Sequence, residues 1–432
     1  MLPARALVLA LPVLWFAAGP GLQAAQREPE LRILLAKDSS LALAPLGQPL
    51  QVQPGNVTLP PRSRATFMLE GGRVHLEVQD SAARRLRQSK PLPQAPMYWL
   101  RPVPPATAAE TPGVEGDSGT FQLLERRYHG RLQIRVNGAG LQAINHVPLE
   151  RYLPAVVGSE MPSSWPLAAL QAQAVAARTY ALRQRKPADP YDLSATVSHQ
   201  VYKGLEAEAP STLEAVRTTR GQVLTYGSKL ANTVFHSSSG GLTENSGDLW
   251  RHQLPYLVSV RDFDQDSPVH RWEQRFDPWL LRRAFAEIDG VSRIEVLSTT
   301  ETGRIRQARV EGPRGTLVLS GSQLRTRLQL RSTLVRFELL APALAFGLPV
   351  LPPPPPPIPV LSNKGSAQAL PALSMLRTVP MPALRVIGRG YGHGVGMSQW
   401  GAHAMALRGD NHAQILRHYY RGTKLSNYLS SP

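Results

Sequence analysis

One carboxylate and two glycine-rich stretches carry most of the chemistry this sequence could do. Glu160 follows an apolar run, Tyr152 to Val157, and precedes a long alanine-rich segment. The spacing predicts a short apolar element that delivers one acid into a tight turn just before a helix. Met161, Pro162 and Trp165 surround that acid with apolar surface, a setting that raises a carboxyl pKa as a general acid requires. The same residue also reads as a capping or solvated loop carboxylate, and the residues alone leave both readings open.

The second stretch, Phe235 to Asn245, reads FHSSSGGLTEN. A histidine beside a serine suggests a hydrolase nucleophile, but neighbours in sequence rarely meet triad geometry and no G-x-S-x-G elbow is present. The pair Gly240-Gly241 after a run of hydroxyls fits a tight loop facing a polar ligand such as a sugar, or a plain structural turn. The third stretch, Gly388 to Gly401, reads GRGYGHGVGMSQWG. Its glycines let the backbone approach a ligand closely, and Tyr391 and His393 project between them. It is neither a phosphate loop nor a dinucleotide fingerprint.

Stepping outward, the positioning elements are legible in outline. Ser163 or Ser164 is the expected cap and Pro166 the first turn of a helix in which Leu167, Leu170, Ala174, Ala177 and Leu182 are buried. Phe121 to Val147 alternates apolar and polar residues across turns at His129-Gly130 and Asn137-Gly138, predicting an antiparallel meander. A helix over 210–219 and a strand over 222–226 follow. Next come Trp250, Tyr256 and Trp272, interleaved with Asp262, Asp264 and Asp266, as carbohydrate-facing aromatics or as core. The aspartate run lacks the glycine and distal glutamate of a calcium loop. A small α/β section over 278–340 predicts a helix at 280–288, strands at 293–298, 305–311 and 315–319, and a turn into a helix over 321–328. Helices over 401–406 and 413–420 close the chain.

The fold class expected is α+β: helices and antiparallel strands forming a cleft, with a small β-rich N-terminal module and a proline-rich insertion. The expected divisions are a signal peptide over 1–25, the N-terminal module and linker over 26–118, a main domain over 119–345, the insertion over 346–383 and a C-terminal part over 384–432. Arg5, the apolar run from Ala6 to Ala18 and the small residues Ala24-Ala25 make the export signal. Pro12 and Gly19-Pro20 argue against a membrane span there.

With 432 residues and 42% hydrophobic content the chain can bury a real core. Its 48 basic against 31 acidic residues give +17, favouring anionic partners such as cell-wall polymers. No zinc-finger, helix-turn-helix or RNP pattern supports nucleic acid. The absence of cysteine excludes disulfides, thiolate nucleophiles and Cys-ligated zinc. No metal or cofactor is expected.

The motif G-S-E-M-P at 158–162 with the QAQAVAARTYAL helix, together with FHSSSGGLTEN, HQVYKG at 199–204 and GRGYGHGVGMSQWG, resembles the SpoIID/LytB family of peptidoglycan proteins. The resemblance covers roughly residues 120–430. It implies Glu160 as the acid/base of a lytic transglycosylase acting on glycan strands, with Ser159, Arg178, His236, Ser237, Ser238, Ser239, Tyr391, His393, Ser398 and Gln399 binding the glycan. It equally allows a non-catalytic enhancer of a cell-wall amidase. Either reading implies an exported protein of the periplasm or cell wall. Some family members hold zinc partly through cysteines, which this chain lacks.

Overall fold

The computed structural model describes residues 28–79, 85–103, 119–340 and 382–430, so the expected signal peptide and most of the linker and proline-rich insertion lie outside the described residues. The fold is α+β as expected, with antiparallel pairing dominating. Among the described residues one sheet has seven strands, in the order 193–194, 30–38, 140–148, 131–137, 97–102, 50–53, 57–59. A second has six, in the order 126–129, 120–123, 40–46, 64–70, 73–79, 85–91. Alternation drives both. In Ser40–Leu46 the residues Leu41 and Leu43 point inward and are almost fully buried, while their neighbours face out.

The boundary expected at 118–119 runs through both sheets. Glu30–Asp38 pairs along its length with Gly140–Pro148, and Ser40–Leu46 pairs with Thr120–Leu123. Residues 28–103 therefore share one apolar core with the helices that follow. The predicted meander is present, but it changes sheets at Gly130. That glycine has φ +94°, and a Cβ there would lie 2.1 Å from the His146 carbonyl oxygen. No other residue type fits this crossing.

The predicted apolar run before Glu160 is in fact a helix, α1, Leu149–Glu160, with Pro154 inside it. It stops where Met161 turns extended, as expected for a residue preceding proline. The second helix, α2, spans Leu167–Arg183. Ser163 and Ser164 do not cap it: Pro166 holds the cap position, and no side chain accepts from the first turn. Leu167 is 42% exposed rather than part of the buried stripe. From Ala169 onward α2 is buried on nearly every side, because α1 and the helices 210–218, 399–407 and 412–419 enclose it.

Residues 271–340 and 383–389 form a lobe with its own apolar core, built on Phe276, Leu281, Phe285, Ile288 and Leu324. Its strands over 293–299, 305–312 and 315–320 and its helix over 321–328 match the expected pattern within two residues. Trp272 resolves as core: it is buried under Gly388, and its indole N–H donates to the Gly390 carbonyl at 2.8 Å. No helix among the described residues is long and apolar enough to cross a membrane.

Candidate active site

Glu160 is the last residue of α1, where the chain leaves the helix and enters the 161–166 turn. Its Oε1 accepts from the Val201 amide at 2.9 Å, and its Oε2 accepts from the Gln399 side-chain amide at 3.1 Å. Burial pushes its pKa up, against the lowering pull of those two hydrogen bonds and of Lys203. The partial negative charge at a helix C-terminus acts in the same upward direction. The carboxyl is thus held in one orientation, largely withdrawn from water, with its proton affinity enhanced.

The two distant glycine-rich stretches meet beside it. Phe235–His236 pairs in parallel with Met397–Ser398, and the Trp400 amide donates to the Ser237 carbonyl at 3.0 Å. Ser398 caps the helix over 399–407 by accepting from the Gly401 amide at 3.2 Å, which fixes the first turn and with it Gln399. Ser159 holds the other side of the turn: its hydroxyl donates to the Ala155 carbonyl and accepts from the Lys203 amide. An aromatic cluster stands on the two elements that carry Glu160 and Gln399. Trp165 lies 4.9 Å from Trp400 and 4.6 Å from His403, ring centre to ring centre. Sequence reasoning missed Trp400 and His403 as site residues. The signal was available, since they stand one and four residues after Gln399 on the same helix.

Several expected ligand-binding residues have other work. Arg178 is buried with no exposure, and its guanidinium makes two hydrogen bonds to Glu150 at 2.8 and 2.7 Å and donates to the Gln222 and Val216 carbonyls. It fastens α2 to α1 and to the 210–226 segment, so its assignment to substrate binding is corrected. Ser238 and Ser239 are fully buried and aim their hydroxyls at Asp264 and Asp262. Asp264 also accepts from the Gly240 amide at 2.7 Å, and Asp262 from the Tyr419 hydroxyl at 2.6 Å. The hydroxyl run is therefore tied down from behind by two buried acids rather than offered to a ligand. Ser237 alone of the three is partly exposed.

His236 is buried, donates from Nδ1 to the Val395 carbonyl at 3.1 Å, and has no hydrogen-bond partner at Nε2. Burial, reinforced by His393 and Arg304, keeps it neutral with a pKa well below the usual value. His393 accepts at Nδ1 from the Val395 amide, and burial together with Arg304 and Arg325 pushes its pKa down to about 4. Its ring lies 5.4 Å from His236 and 5.8 Å from Trp250. Tyr391 is 47% exposed. These two residues line recesses against the 271–340 lobe, whereas Gln399 contacts Glu160. The segment from Tyr391 to Gln399 thus connects two regions of the surface.

Comparison with known proteins adds the following. Residues 137–226 match the family model for the stage II sporulation protein, SpoIID. The chain is 30% identical over 296 residues to the amidase enhancer of Bacillus subtilis strain 168, covering 64% of this chain but 40% of that relative. It is 28% identical over 305 residues to stage II sporulation protein D of the same organism, covering 66% of this chain and 76% of the relative. Stage II sporulation protein D of Bacillus amyloliquefaciens is 29% identical over 304 residues, again 66% and 76%.

Proposed function

Because this chain belongs to the SpoIID/LytB family, we propose that it is an exported peptidoglycan-acting protein that cleaves glycan strands as a lytic transglycosylase, with Glu160 as acid and base. The observation that supports this most is a single carboxyl, raised in pKa by burial and oriented by Val201 and Gln399, on elements that also carry aromatic rings. Hydrolysis of a glycoside generally uses two carboxyls. A lone one suffices when the sugar supplies its own nucleophile. Protonated Glu160 gives its proton to the glycosidic oxygen as the bond from C1 to that oxygen breaks. The resulting carboxylate then removes the proton of the C6 hydroxyl, whose oxygen bonds to C1 and closes a 1,6-anhydro ring. Atoms balance without water, and Glu160 ends protonated, ready for another cycle. Trp165, Trp400 and His403 offer flat faces to the sugars, and Gln399 keeps the carboxyl aimed.

The test is digestion of purified glycan strands followed by mass spectrometry of the ends. Anhydro-muramic ends are expected from the native chain and a loss of roughly 10²–10⁴ in rate from Glu160→Gln. Intact strands, or anhydro ends undiminished in the variant, would end the catalytic reading.

The identity with an amidase enhancer favours a second reading, in which the chain binds the wall and stimulates a separate cell-wall amidase. In that case an amidase co-purifies, its activity rises on adding this chain, and Glu160→Gln stimulates as well as the native protein.

A further inference from the structure

The lobe meets the glycine-rich segment along a cleft of about 640 Å³, walled by Trp250, Leu249, Ile305 and His393. A shallower recess adjoins it through Ser322 and Arg325, which line both, and adds Arg331 and Tyr391. The charge balance here is one-sided. Arg306 is neutralised by Asp248, but Arg325 and Arg331 have no acidic partner among the described residues. Arg325 donates from Nε to the Leu330 carbonyl at 3.1 Å, which leaves its terminal nitrogens for a guest. A half-buried guanidinium beside a second one is unfavourable unless a counter-charge arrives.

The shape of that counter-charge follows from the donors. The planar guanidinium fork matches a carboxylate in two parallel hydrogen bonds. Trp250, 37% exposed, and Tyr391 present aromatic faces of the kind that cover a sugar ring. Carboxylate and sugar occur together in muramic acid, whose lactyl group carries a free carboxylate only when no peptide is attached. An attached peptide turns that acid into an amide and removes the charge. The segment Tyr391–Gln399 runs from this cleft to the Glu160 carboxyl, so one strand can engage both.

We propose that the Arg325–Arg331–Trp250 cleft is a second glycan subsite that recognises the lactyl carboxylate of peptide-free muramic acid, and thereby selects stripped strands. This rests on the peptidoglycan reading above and deepens it, without depending on which reaction follows. It is tested by calorimetric titration in a Glu160→Gln background, which stops turnover, with peptide-free glycan oligosaccharides. The comparison ligands are the same oligosaccharides with their carboxyls converted to methylamides. At least tenfold tighter binding of the free acid is expected. The double change R325Q/R331Q should abolish that preference while still binding the methylamide, and R325K/R331K should keep part of it. Arg331 is exposed, so R331Q alone leaves the packing intact and should cut the preference at least threefold. Equal affinity for acid and methylamide, or an undiminished preference in R331Q and R325Q/R331Q, would overturn the proposal. A native chain that produces no anhydro ends yet prefers the free acid would refute the reaction and leave the subsite standing.

Discussion

At the scale of single residues, the arrangement around Glu160 has a thermodynamic signature. Its pKa is raised on folding, so the native state binds the proton more tightly than the unfolded chain does. Stability from this group is therefore present below the unfolded value near 4.5 and is lost as pH rises through the folded one. A glutamine at 160 keeps hydrogen-bonding capacity toward Val201 and Gln399 but carries no charge to desolvate. Glu160→Gln is expected to melt higher than the native chain at pH 7, by about 2 °C for each 1 kcal/mol relieved. The gap should close below about pH 4. A lower melting temperature at pH 7 would mean that the carboxylate is not held under strain. Gln399→Ala removes a bond that favours the ionised form, so the pKa of Glu160 should climb further. The base-side limb of the activity profile should move to higher pH, which a pH series on the two proteins reads directly.

At the scale of elements, the loops that meet at Glu160 are held by buried acids and by close backbone approach. A Cβ at Gly401 would stand 1.8 Å from Asp262 Oδ1 and 2.0 Å from the Tyr419 hydroxyl. Gly401→Ala is expected to lower stability by about 1–3 kcal/mol and to disturb the cap that positions Gln399, as urea melts would report. Arg178→Met leaves Glu150 nine-tenths buried without its partner, at a cost of about 3–5 kcal/mol. Activity per folded molecule should survive, because the Arg178 donors are used within the fold. This is where reading a sequence reaches its limit. The strand-turn-helix rhythm of 210–226 and 278–328 was legible because its apolar spacing and glycine punctuation are local. The inward aim of Ser238 and Ser239 was not, since it depends on Asp262 and Asp264, more than twenty residues away. Likewise nothing local separates a buried Arg178 from a ligand-facing one.

At the scale of the molecule, the two large sheets join residues on both sides of the expected module boundary, so the N-terminal strands are part of what supports α1 and α2. Strand existence was visible in the alternation of 30–38, 64–70 and 73–79, but the partner of each strand was not, because pairing across a hundred residues leaves no mark in spacing. The motifs of the site were legible as motifs. Their convergence, with Gln399 reaching a carboxyl 239 positions earlier, is a property of the closed fold. The central claim is that this convergence lets one side chain hand over a proton and take another back. Mass spectrometry of the ends of purified glycan strands, after incubation with the native chain and with Glu160→Gln, tests it most directly. The account predicts 1,6-anhydro-muramic ends from the native chain and almost none from the variant. Reducing ends in place of anhydro ends, or equal yields from the two proteins, would contradict it.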